Sequence, residues 1–424
     1  MLKRNGNSGR DVVGLLDIGT SKVCCLIVVR EPAVGSAPTE AAAVHVAGFG
    51  HHRSRGVKAG VIVDLDEAEQ AVRAAVSQAE RMAGVRLDDV YVGVACGRMR
   101  SGHFVAHADL ANGIVEETDI RRSMVAGRAY AEREGRTLVH FSRIAYRLDD
   151  VPGVRDPRGM AGRRLSTEVH AVTVDDAPLR NLLHLVERSY LSVAGVVPSP
   201  LASALAATSE EERHLGVTCL DIGGGMTTIA VFADRQFVFA ETIPVGGNHL
   251  TYDIARALRT PLAEAERIKT LYGTLVTARS DAHEAVSFPL AGEEEPTSQQ
   301  TTKAHLRNLL QQRAHGLLAL VRERLDRSNV PAHAGDRVVL TGGTSQLVGF
   351  GEFAANVLGR PTRVARPQPL GGTPAGASGP AFSSVMGLVC AVQSQADYVF
   401  SYRERDAFAP GYLARMGQWL RRGF

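Results

Sequence analysis

The chain of 424 residues is poor in aromatic side chains, which make up only 5% of it, and it contains a single tryptophan. Its formal net charge is +3, and no basic stripe with interleaved aromatic residues runs along its body. Proteins that bind nucleic acids usually show such a stripe. The composition therefore predicts a protein with no nucleic-acid partner.

Cysteine is also scarce. The five cysteines stand in apolar runs and form no CxxC pair; they are Cys24, Cys25, Cys96, Cys219 and Cys390. This placement is typical of small core residues in a reducing compartment. His103 and His107 are four residues apart, but no glutamate lies between them and the flanking pattern favours a strand. The sequence thus argues against both a disulfide framework and a zinc site.

Long apolar runs are missing as well. No stretch approaches the roughly 20 apolar residues of a spanning helix. Residues 1–10 are polar and basic without the apolar segment of a secretory signal. With 45% hydrophobic and 22% charged residues, the chain has the composition of a globular protein of two or more domains. We expect a cytosolic protein unless another feature carries it to a membrane.

The rest of the chain is organised around one glycine-rich stretch, Leu220-Asp221-Ile222-Gly223-Gly224-Gly225-Met226-Thr227-Thr228. The apolar runs on both sides predict a strand, a tight turn and a second strand. Three glycines remove every Cβ, so successive backbone N–H groups can converge on an anion, and the two threonines add hydroxyl donors. Asp221 would repel phosphate but can hold a hydrated Mg²⁺. Taken alone, the stretch could equally be an ordinary hairpin.

The same pattern occurs near the N-terminus, where Leu15-Leu16-Asp17-Ile18-Gly19-Thr20-Ser21-Lys22 stands between apolar runs. It is not a P-loop, which needs a Gly-Lys-Ser/Thr ending that opens a helix. Two hairpins with an acid and glycine at their tips predict two similar lobes that face one nucleotide.

Three other segments complete this interpretation. Residues 88–168 differ in residue pattern from the segments on either side. This pattern predicts a small α+β unit inserted in the first lobe. Residues 281–303 are polar and predict an exposed excursion. Val338-Val339-Leu340-Thr341 predicts a strand that ends at the turn Gly342-Gly343.

The C-terminal residues 411–424 predict a short cationic amphipathic helix after a linker at 393–410. Wound at 100° per residue, its apolar face holds Tyr412, Leu413, Met416, Trp419, Leu420 and Phe424. Arg415, Arg421 and Arg422 lie off that face, and no acid follows Asp406. Such a helix fits an in-plane membrane anchor, to which anionic lipid would add about 1 kcal/mol per arginine. The alternative is a tail helix docked on the body of the protein.

With both hairpins, Thr341-Gly342-Gly343 and Glu266-Arg267-Ile268-Lys269, the chain resembles the superfamily of actin, heat-shock chaperones and sugar kinases. Within it, the chain resembles the bacterial cell-division actins of the FtsA family. That resemblance rests on residues 55–64, the insert at 88–168, Asp221-Ile222-Gly223-Gly224-Gly225 and the tail at 419–424.

The resemblance implies an α/β actin-like fold of two lobes, each a ribonuclease-H-like domain, with an FtsA-type insert and a C-terminal amphipathic helix. The implied divisions are 11–87 with 169–215 (first lobe, closed by helix 381–392), 88–168 (insert), 216–247 with 330–380 (second-lobe core), 248–329 (second-lobe small subdomain), 393–410 (linker) and 411–424 (membrane helix).

The resemblance also implies ATP and Mg²⁺ as cofactors. The residues implied to bind the nucleotide are Asp17, Gly19, Thr20, Ser21, Lys22, Asp221, Gly223, Gly224, Gly225, Thr227, Gly246, Gly247, Glu266, Lys269, Gly342 and Gly343. Asp17 and Asp221 would hold Mg²⁺ through water. Ser199 stands where a filament-forming relative, MreB, has the glutamate that positions the attacking water, so slow or undetectable ATP hydrolysis is expected.

FtsA-like proteins polymerise and tether the division tubulin FtsZ to the cytoplasmic face of the inner membrane at the septum. The implied partners are therefore the FtsZ C-terminal tail, other copies of the chain, anionic lipid, and later division proteins through the insert. Arg307 and Arg313 are the candidate contacts for the FtsZ tail. The alternatives are a sugar or acid kinase, an MreB-like shape-determining actin, or a pilus-assembly ATPase.

Overall fold

The computed structural model describes residues 11–30, 44–132, 134–292, 298–328, 330–331, 334 and 336–394. Its strands are β1 (Asp11–Ile18), β2 (Lys22–Arg30), β3 (Val44–Arg53), β4 (Val57–Lys58), β5 (Val61–Ile62), β6 (Asp89–Val94), β7 (Arg100–Asp109), β8 (Arg136–Leu148), β9 (Val151–Val154), β10 (Arg164–Asp175), β11 (Ser192–Pro198), β12 (Val217–Ile222), β13 (Thr227–Ala233), β14 (Gln236–Ile243), β15 (Ala285–Pro289), β16 (Ser298–Thr302), β17 (Val338–Thr341) and β18 (Thr362–Val364). The α-helices are α1 (Leu65–Ala83), α2 (Glu117–Ala131), α3 (Asp176–Arg188), α4 (Ser199–Ala207), α5 (Glu210–Leu215), α6 (Gly247–Leu258), α7 (Leu262–Tyr272), α8 (Lys303–Asp326), α9 (Phe350–Leu358) and α10 (Ser383–Gln393). The predicted C-terminal helix at 411–424 lies outside the described residues.

Each lobe is built on a five-stranded sheet, and the two sheets repeat one plan. In the first lobe the order is β3-β2-β1-β6-β11, and in the second it is β14-β13-β12-β17-β18. In both, the first three strands pair antiparallel and the remaining pairs are parallel. The repeated hairpin of the sequence is therefore the centre of a repeated fold.

Local signals explain how the first lobe begins. The buried strand β2 is the second strand of the first hairpin. Further along the chain, α1 packs its alanine and valine face on β3. Asp64 caps α1 by accepting a hydrogen bond from the backbone N–H of Glu67 at 3.0 Å. Gly84 ends the helix in the left-handed conformation, at φ +68°.

The inserted unit is a four-stranded antiparallel sheet in the order β7-β10-β8-β9, with α2 against one face. The expected start of this unit at residue 88 differs from the sheet order, because β6 pairs between β1 and β11 in the first lobe. Its expected end at 168 also differs, since β10 continues to Asp175. We call the segment from Met99 to Val174 the insert.

The described part of the segment at 281–303 is mostly exposed, as its polarity predicts, but a few of its residues are buried. It contains the hairpin β15–β16, whose Val286 and Phe288 are only 1% and 7% exposed in the core of the second lobe. The carboxylate of Asp281 is buried against the guanidinium of Arg307. Alternation of apolar and polar residues over five positions buried one face of a short strand that average polarity concealed.

Two helices of small residues, α4 and α10, cross between the lobes. Their closest approach is at Gly387, where a Cβ atom would collide with the backbone of Ala202. Only glycine permits this contact. The crossing brings side chains from both helices to the floor of the space between the two lobes.

Candidate functional site

A cavity of about 530 Å³ lies between the lobes, with the tips of the two hairpins on opposite sides. We call residues 17–22 the first jaw and residues 221–228 the second jaw. All but two of the residues expected to bind a nucleotide line this cavity. Those present are Asp17, Gly19, Thr20, Ser21, Lys22, Asp221, Gly223, Gly224, Gly225, Gly247, Glu266, Lys269, Gly342 and Gly343.

Thr227 and Gly246 are the two exceptions. Thr227 is fully buried, and its hydroxyl donates to the carbonyl of Val245 at 2.8 Å. Thr228 lines the cavity instead, because successive residues of a strand point to opposite faces. Gly246 lies behind the cavity wall, where a Cβ would meet the carbonyl oxygen of Gly223 at 2.5 Å. Neither residue lines the cavity in this structure.

The two jaws close in the same way. The N–H of Gly19 donates to the carbonyl of Lys22 at 2.9 Å, and the N–H of Gly223 donates to that of Met226 at 2.9 Å. The second jaw is further tied to the start of α6, because Asn248 donates its N–H to the carbonyl of Gly224 at 2.7 Å. These bonds fix both loops before any ligand arrives.

The two acids of the jaws are each held by one serine from a crossing helix. Ser384 of α10 donates to Oδ1 of Asp17 at 2.9 Å, and Ser203 of α4 donates to Oδ2 of Asp221 at 2.5 Å. Burial raises the pKa of both carboxyls against the effect of these hydrogen bonds. The pKa of Asp221 reaches about 6, and the charge of Asp17 contributes to that rise.

This pair of carboxylates fits a hydrated divalent cation. Burial makes both acids costly to ionise, and a positive charge bound beside them would offset that cost. Oxygen ligands with retained water are what Mg²⁺ prefers. In the described part of the chain, no group of three or more histidine, cysteine or acidic side chains is placed to bind a metal, so such an ion would depend on water and ligand oxygens.

Two further side chains point to an anionic ligand. The ammonium of Lys22 lies in the cavity wall, where it donates to the carbonyl of Ala381 and sits 4.1 Å from the ring centre of Phe382. The hydroxyl of Thr228 is buried and has no hydrogen-bond partner within the protein. An unpaired buried hydroxyl is costly unless a ligand or water satisfies it.

A polar network borders the other end of the cavity. The ammonium of Lys269 donates to Glu266 Oε2 at 2.6 Å and to the hydroxyl of Thr251 at 2.8 Å. Glu266 also accepts from Thr251 at 2.5 Å. The family resemblance indicated the acid and the lysine, whereas Thr251 comes from another helix.

Several lining residues were not selected from the sequence. They are Ile18, Gly60, Ala95, Met226, Thr228, Asn248, Leu250, Thr270, Gly273, Thr344, Gln346, Leu347, Val348, Ala381 and Ser384. Most lie on loops and helices far from either jaw in sequence. The alternation of side chains along β13 could have indicated that Thr228 faces the cavity, but no local signal marks Ser384.

Ser199, the first residue of α4, is 5% exposed and lies in the cavity wall. Its hydroxyl and Oδ1 of Asp17 both lie close to Gly93, at 3.1 and 3.3 Å from where a Cβ would stand. No histidine is among the lining residues that the structure describes. Ser199 thus lies near the first acid, and the described lining holds no histidine to activate its hydroxyl.

The arginines expected to contact the FtsZ tail are engaged within the chain. Arg307 is only 12% exposed and binds Asp281 at 2.5 Å. That burial argues against its expected role as a partner contact. Arg313 forms a two-pronged ion pair with Asp253, at 2.5 and 2.8 Å, and keeps 39% of its side chain exposed.

Comparison with known families agrees with this architecture. A family model described as cell division protein FtsA matches residues 218–387, and one described as the SHS2 domain inserted in FtsA matches residues 97–173. A cell division protein FtsA from Agrobacterium fabrum is 39% identical over 431 residues, which cover 100% of this chain and 97% of the relative. The chain belongs to the FtsA family. It is an actin-like cell-division protein, which confirms the family resemblance seen in the sequence.

Other FtsA proteins are similar over almost their whole length. The one from Rhizobium meliloti is 40% identical, with 97% of this chain and 95% of the relative covered. The one from Escherichia coli K12 is 30% identical, with 97% and 98% covered. The insert expected of an FtsA protein is also confirmed, with family bounds that exclude β6.

Solved structures place the fold among actin-like proteins. A type IV pilus PilM–PilN complex aligns with a TM-score of 0.60 at 15% identity and covers 89% of this chain and 97% of that one. MreB5 of Spiroplasma citri bound to ADP aligns with a TM-score of 0.54 at 15% identity and covers 90% and 96%. At such identities the likeness shows the fold alone, and the actin-like expectation is confirmed.

Proposed function

We propose that this FtsA protein binds ATP with Mg²⁺ between its two jaws and that the bound nucleotide sets the angle between the lobes. The proposal rests on the cavity, in which two glycine hairpins, two acids and an unpaired buried hydroxyl face one space. The solved MreB5 proteins are described as bound to ADP and to AMPPNP. The same ligand class fits this cavity.

In this proposal the side chains and the backbone divide the work. Thr20, Ser21 and Lys22 would donate to the phosphates from one side, and the backbone of Gly223 to Gly225 from the other. The hydroxyl of Thr228 would gain its missing partner. Asp17 and Asp221 would hold Mg²⁺ through water, and the ion would supply charge neutralisation at the phosphates.

A pair of adjacent threonines tests this arrangement. Thr228→Val removes the unpaired hydroxyl at nearly constant volume, and we expect it to weaken binding of ATP with Mg²⁺ by about 5- to 10-fold, the worth of about one hydrogen bond. Thr227→Val removes a hydroxyl that bonds Val245, and we expect it to lower the melting temperature without a matching loss of affinity. Titration with a fluorescent ATP analogue and thermal melts measure both. Equal affinity for the wild type and Thr228→Val would remove the hydroxyl from the site.

Hydrolysis of the bound ATP should be slow. Ser199 is a poor general base at its ordinary pKa, and no histidine lines the cavity in the described chain. We therefore assign the site to assembly control and not to catalysis. A phosphate-release assay that found turnover of about 10 s⁻¹, typical of an enzyme, would overturn this assignment.

The protein would act as an adaptor between FtsZ and the membrane. In the described part of the chain, no helix is long and apolar enough to cross a bilayer. Residues 411–424 supply the amphipathic pattern of an in-plane anchor. One such helix binds weakly, and a homopolymer that presents many of them would bind firmly through avidity. In this proposal the protein acts on the cytoplasmic face of the inner membrane at the septum.

The remaining proposed partners follow from the same architecture. The FtsZ C-terminal tail would bind the small subdomain of the second lobe. There the side chain of Arg313 is 39% exposed, which favours it for this contact over Arg307, whose side chain is 12% exposed. Later division proteins would bind through the insert.

Liposome co-sedimentation tests the adaptor role. The full chain should sediment with anionic vesicles and carry FtsZ with it, whereas a chain ending at Val392 should do neither. Trp419→Ala should reduce binding to vesicles because it removes the aromatic anchor of the apolar face. Gln418 lies off that face, so Gln418→Ala is the matched control. Equal sedimentation of the full and shortened chains would overturn the anchor.

A further inference from the structure

The insert leaves and re-enters the chain at the first lobe, yet it is held against the second. β7 is the outer strand of the insert sheet, and β14 is the outer strand of the second-lobe sheet. Outer strands present backbone groups that have no partner within their own sheet. Here the two outer strands meet, and side chains of β7 bind the backbone groups of β14.

Ser101 makes the central contact. Its Oγ accepts the N–H of Ala240 at 2.6 Å and lies 3.0 Å from the carbonyl of the same residue, to which it donates. A hydroxyl has one proton, so Nε2 of His170, 2.9 Å away, must donate to Ser101. The hydroxyl of Ser101 thus takes the place of the neighbouring strand that Ala240 lacks.

His103 makes the second contact, on the same face of β7. Its Nε2 lies 2.6 Å from the carbonyl oxygen of Val238, so this nitrogen carries a proton. Its Nδ1 lies 3.8 Å from Glu168 of β10. The two contacts satisfy outward-facing groups at alternate residues of β14, as the geometry of an antiparallel edge requires. We call these bonds of Ser101 and His103 the docking contact.

Aromatic packing supports the docking contact from behind. The rings of His140 and His170 each lie 5.1 Å from the ring of Phe237, measured between centres, in edge-on geometry. Burial lowers the pKa of both histidines, that of His140 to about 3, so both rings are neutral near pH 7. Ile144 of β8 packs against the core of the second lobe.

The insert is equally fixed to the first lobe, beside the cavity. Ala95, which lines the cavity, lies in the connection that leads from β6 into the insert. Arg98 binds Asp175 at 2.7 Å and so ties the two connections together. Val139 and Val172 belong to the same buried apolar cluster as the first-lobe sheet. The insert therefore spans both lobes next to the cleft.

We propose that the insert is a brace across the cleft and that the docking contact controls how readily the cleft releases its ligand. The coupling to the ligand rests on the nucleotide binding proposed above. A change of angle between the lobes must either break the bonds of Ser101 and His103 or move the insert relative to the first lobe. A closed, loaded cleft and a docked insert thus favour one another by the same factor.

The docking contact has its own readout in the absence of nucleotide. Because the Ala240 N–H faces out of its sheet, Ser101 is the acceptor that protects it from hydrogen exchange. In the full-length chain, the double variant Ser101→Ala with His103→Ala should speed exchange at this amide by about 10-fold or more. Val105→Ala changes an exposed residue on the same face of β7 and should leave the exchange unchanged.

The coupling is read from the release of a fluorescent ADP analogue under chase with ADP. The double variant should release it at least 3-fold faster than the wild type, and Val105→Ala should match the wild type. Ser101→Thr with His103→Gln keeps a hydroxyl and an N–H donor at the two positions. It should restore most of the protection and the slow release, which loss of folding in the alanine variant would not predict.

The outcomes separate the two proposals. Unchanged exchange at Ala240 in the alanine variant would overturn the docking contact in solution. Faster exchange with unchanged release would overturn the coupling. Failure of the wild type to bind nucleotide at all would overturn the proposed function and the coupling together, while the exchange result would still report on the docking contact alone.

Discussion

The two jaws share a sequence pattern and a turn geometry, but they contribute opposite things to the cleft. The first jaw supplies side chains, Thr20, Ser21 and Lys22. The second supplies backbone at Gly224 and Gly225, and the two sets fit together. A Cβ on Gly225 would lie 2.5–2.8 Å from three atoms of Thr20, and one on Gly224 would collide with Ser21. The side chains of one jaw occupy the space that the glycines of the other leave open.

This difference shows why a duplicated element need not keep duplicated residues. Two jaws rich in side chains could not approach one another, and two glycine jaws would lack a cation and hydroxyl donors. Both jaws retain the triplet Asp-Ile-Gly, at 17–19 and at 221–223, and each aspartate is held by a serine from a different crossing helix. The jaws are therefore equivalent in fold and complementary in chemistry.

The largest expected effect comes from filling the glycine side. Gly225→Val should abolish nucleotide binding, by about 100-fold or more, because its branched side chain would force the jaws apart at Thr20. Binding of a fluorescent ATP analogue measures this. Gly225 belongs to neither of the two large buried apolar clusters, so the circular dichroism spectrum should remain that of a folded protein.

A compensating variant shows whether the clash lies between the jaws. Gly225→Ala should cost less affinity in a Thr20→Gly background than in the wild type, which a double-mutant cycle detects. Gly316→Val is the control, since no atom lies within 4 Å of where its Cβ would stand. Strict additivity of Gly225→Ala and Thr20→Gly would contradict the complementarity.

The next effect concerns the acid of the second jaw. Asp221→Asn should raise the stability of the ligand-free protein at pH 7.5 by on the order of 2 kcal/mol, because the native carboxyl has a pKa near 6 against 3.8 in the unfolded chain. The folded state then binds more protons than the unfolded state between these values. The wild type therefore loses stability as the pH rises from about 4 to 6.

Urea unfolding of both proteins, without nucleotide or Mg²⁺, tests this sign. The gain from Asp221→Asn should be full above pH 6 and should disappear near pH 4. The same variant should lose the enhancement of ATP binding by Mg²⁺. A gain that grew on acidification would contradict the raised pKa of Asp221.

The smallest effect separates the two crossing helices. Ser203→Ala and Ser384→Ala each remove a hydroxyl that donates to one jaw's carboxylate. Each should raise the Mg²⁺ concentration for half-maximal ATP binding by about 3- to 10-fold, since a typical hydrogen bond contributes a net of about 0.5–1.5 kcal/mol. Ser383→Ala is the control, because its hydroxyl bonds Thr341 and not an acid. If Ser383→Ala raised the Mg²⁺ concentration for half-maximal ATP binding as much as the other two variants do, the change would be due to general packing and not to the bonds to the carboxylates.

Local patterns were sufficient wherever a residue acts through its own strand or helix. The two hairpins follow from spacing alone, and spacing indicates Asp64 or Asp66 as the cap of α1, whereas the family resemblance indicated Glu266 and Lys269. Thr260 shows where local reasoning ends. The run Thr260-Pro261 predicts that the threonine caps α7, but Pro261 stands at the cap and the hydroxyl of Thr260 donates to the carbonyl of Pro289 at 2.7 Å. A long-range acceptor, which no local pattern contains, won over the local one.

The amino-acid sequence by itself determined the two jaws, their acids and glycines, and the family to which the chain belongs, because these depend on residues that are neighbours along a strand and its turn. The tertiary structure alone decided what holds and links the jaws. It brought Ser203 and Ser384 to the acids, paired Arg307 with Asp281, and set Ser101 of the insert against Ala240 of the second lobe. Each of these contacts joins segments far apart in the chain, and only the packing of sheets and crossing helices brings such segments together.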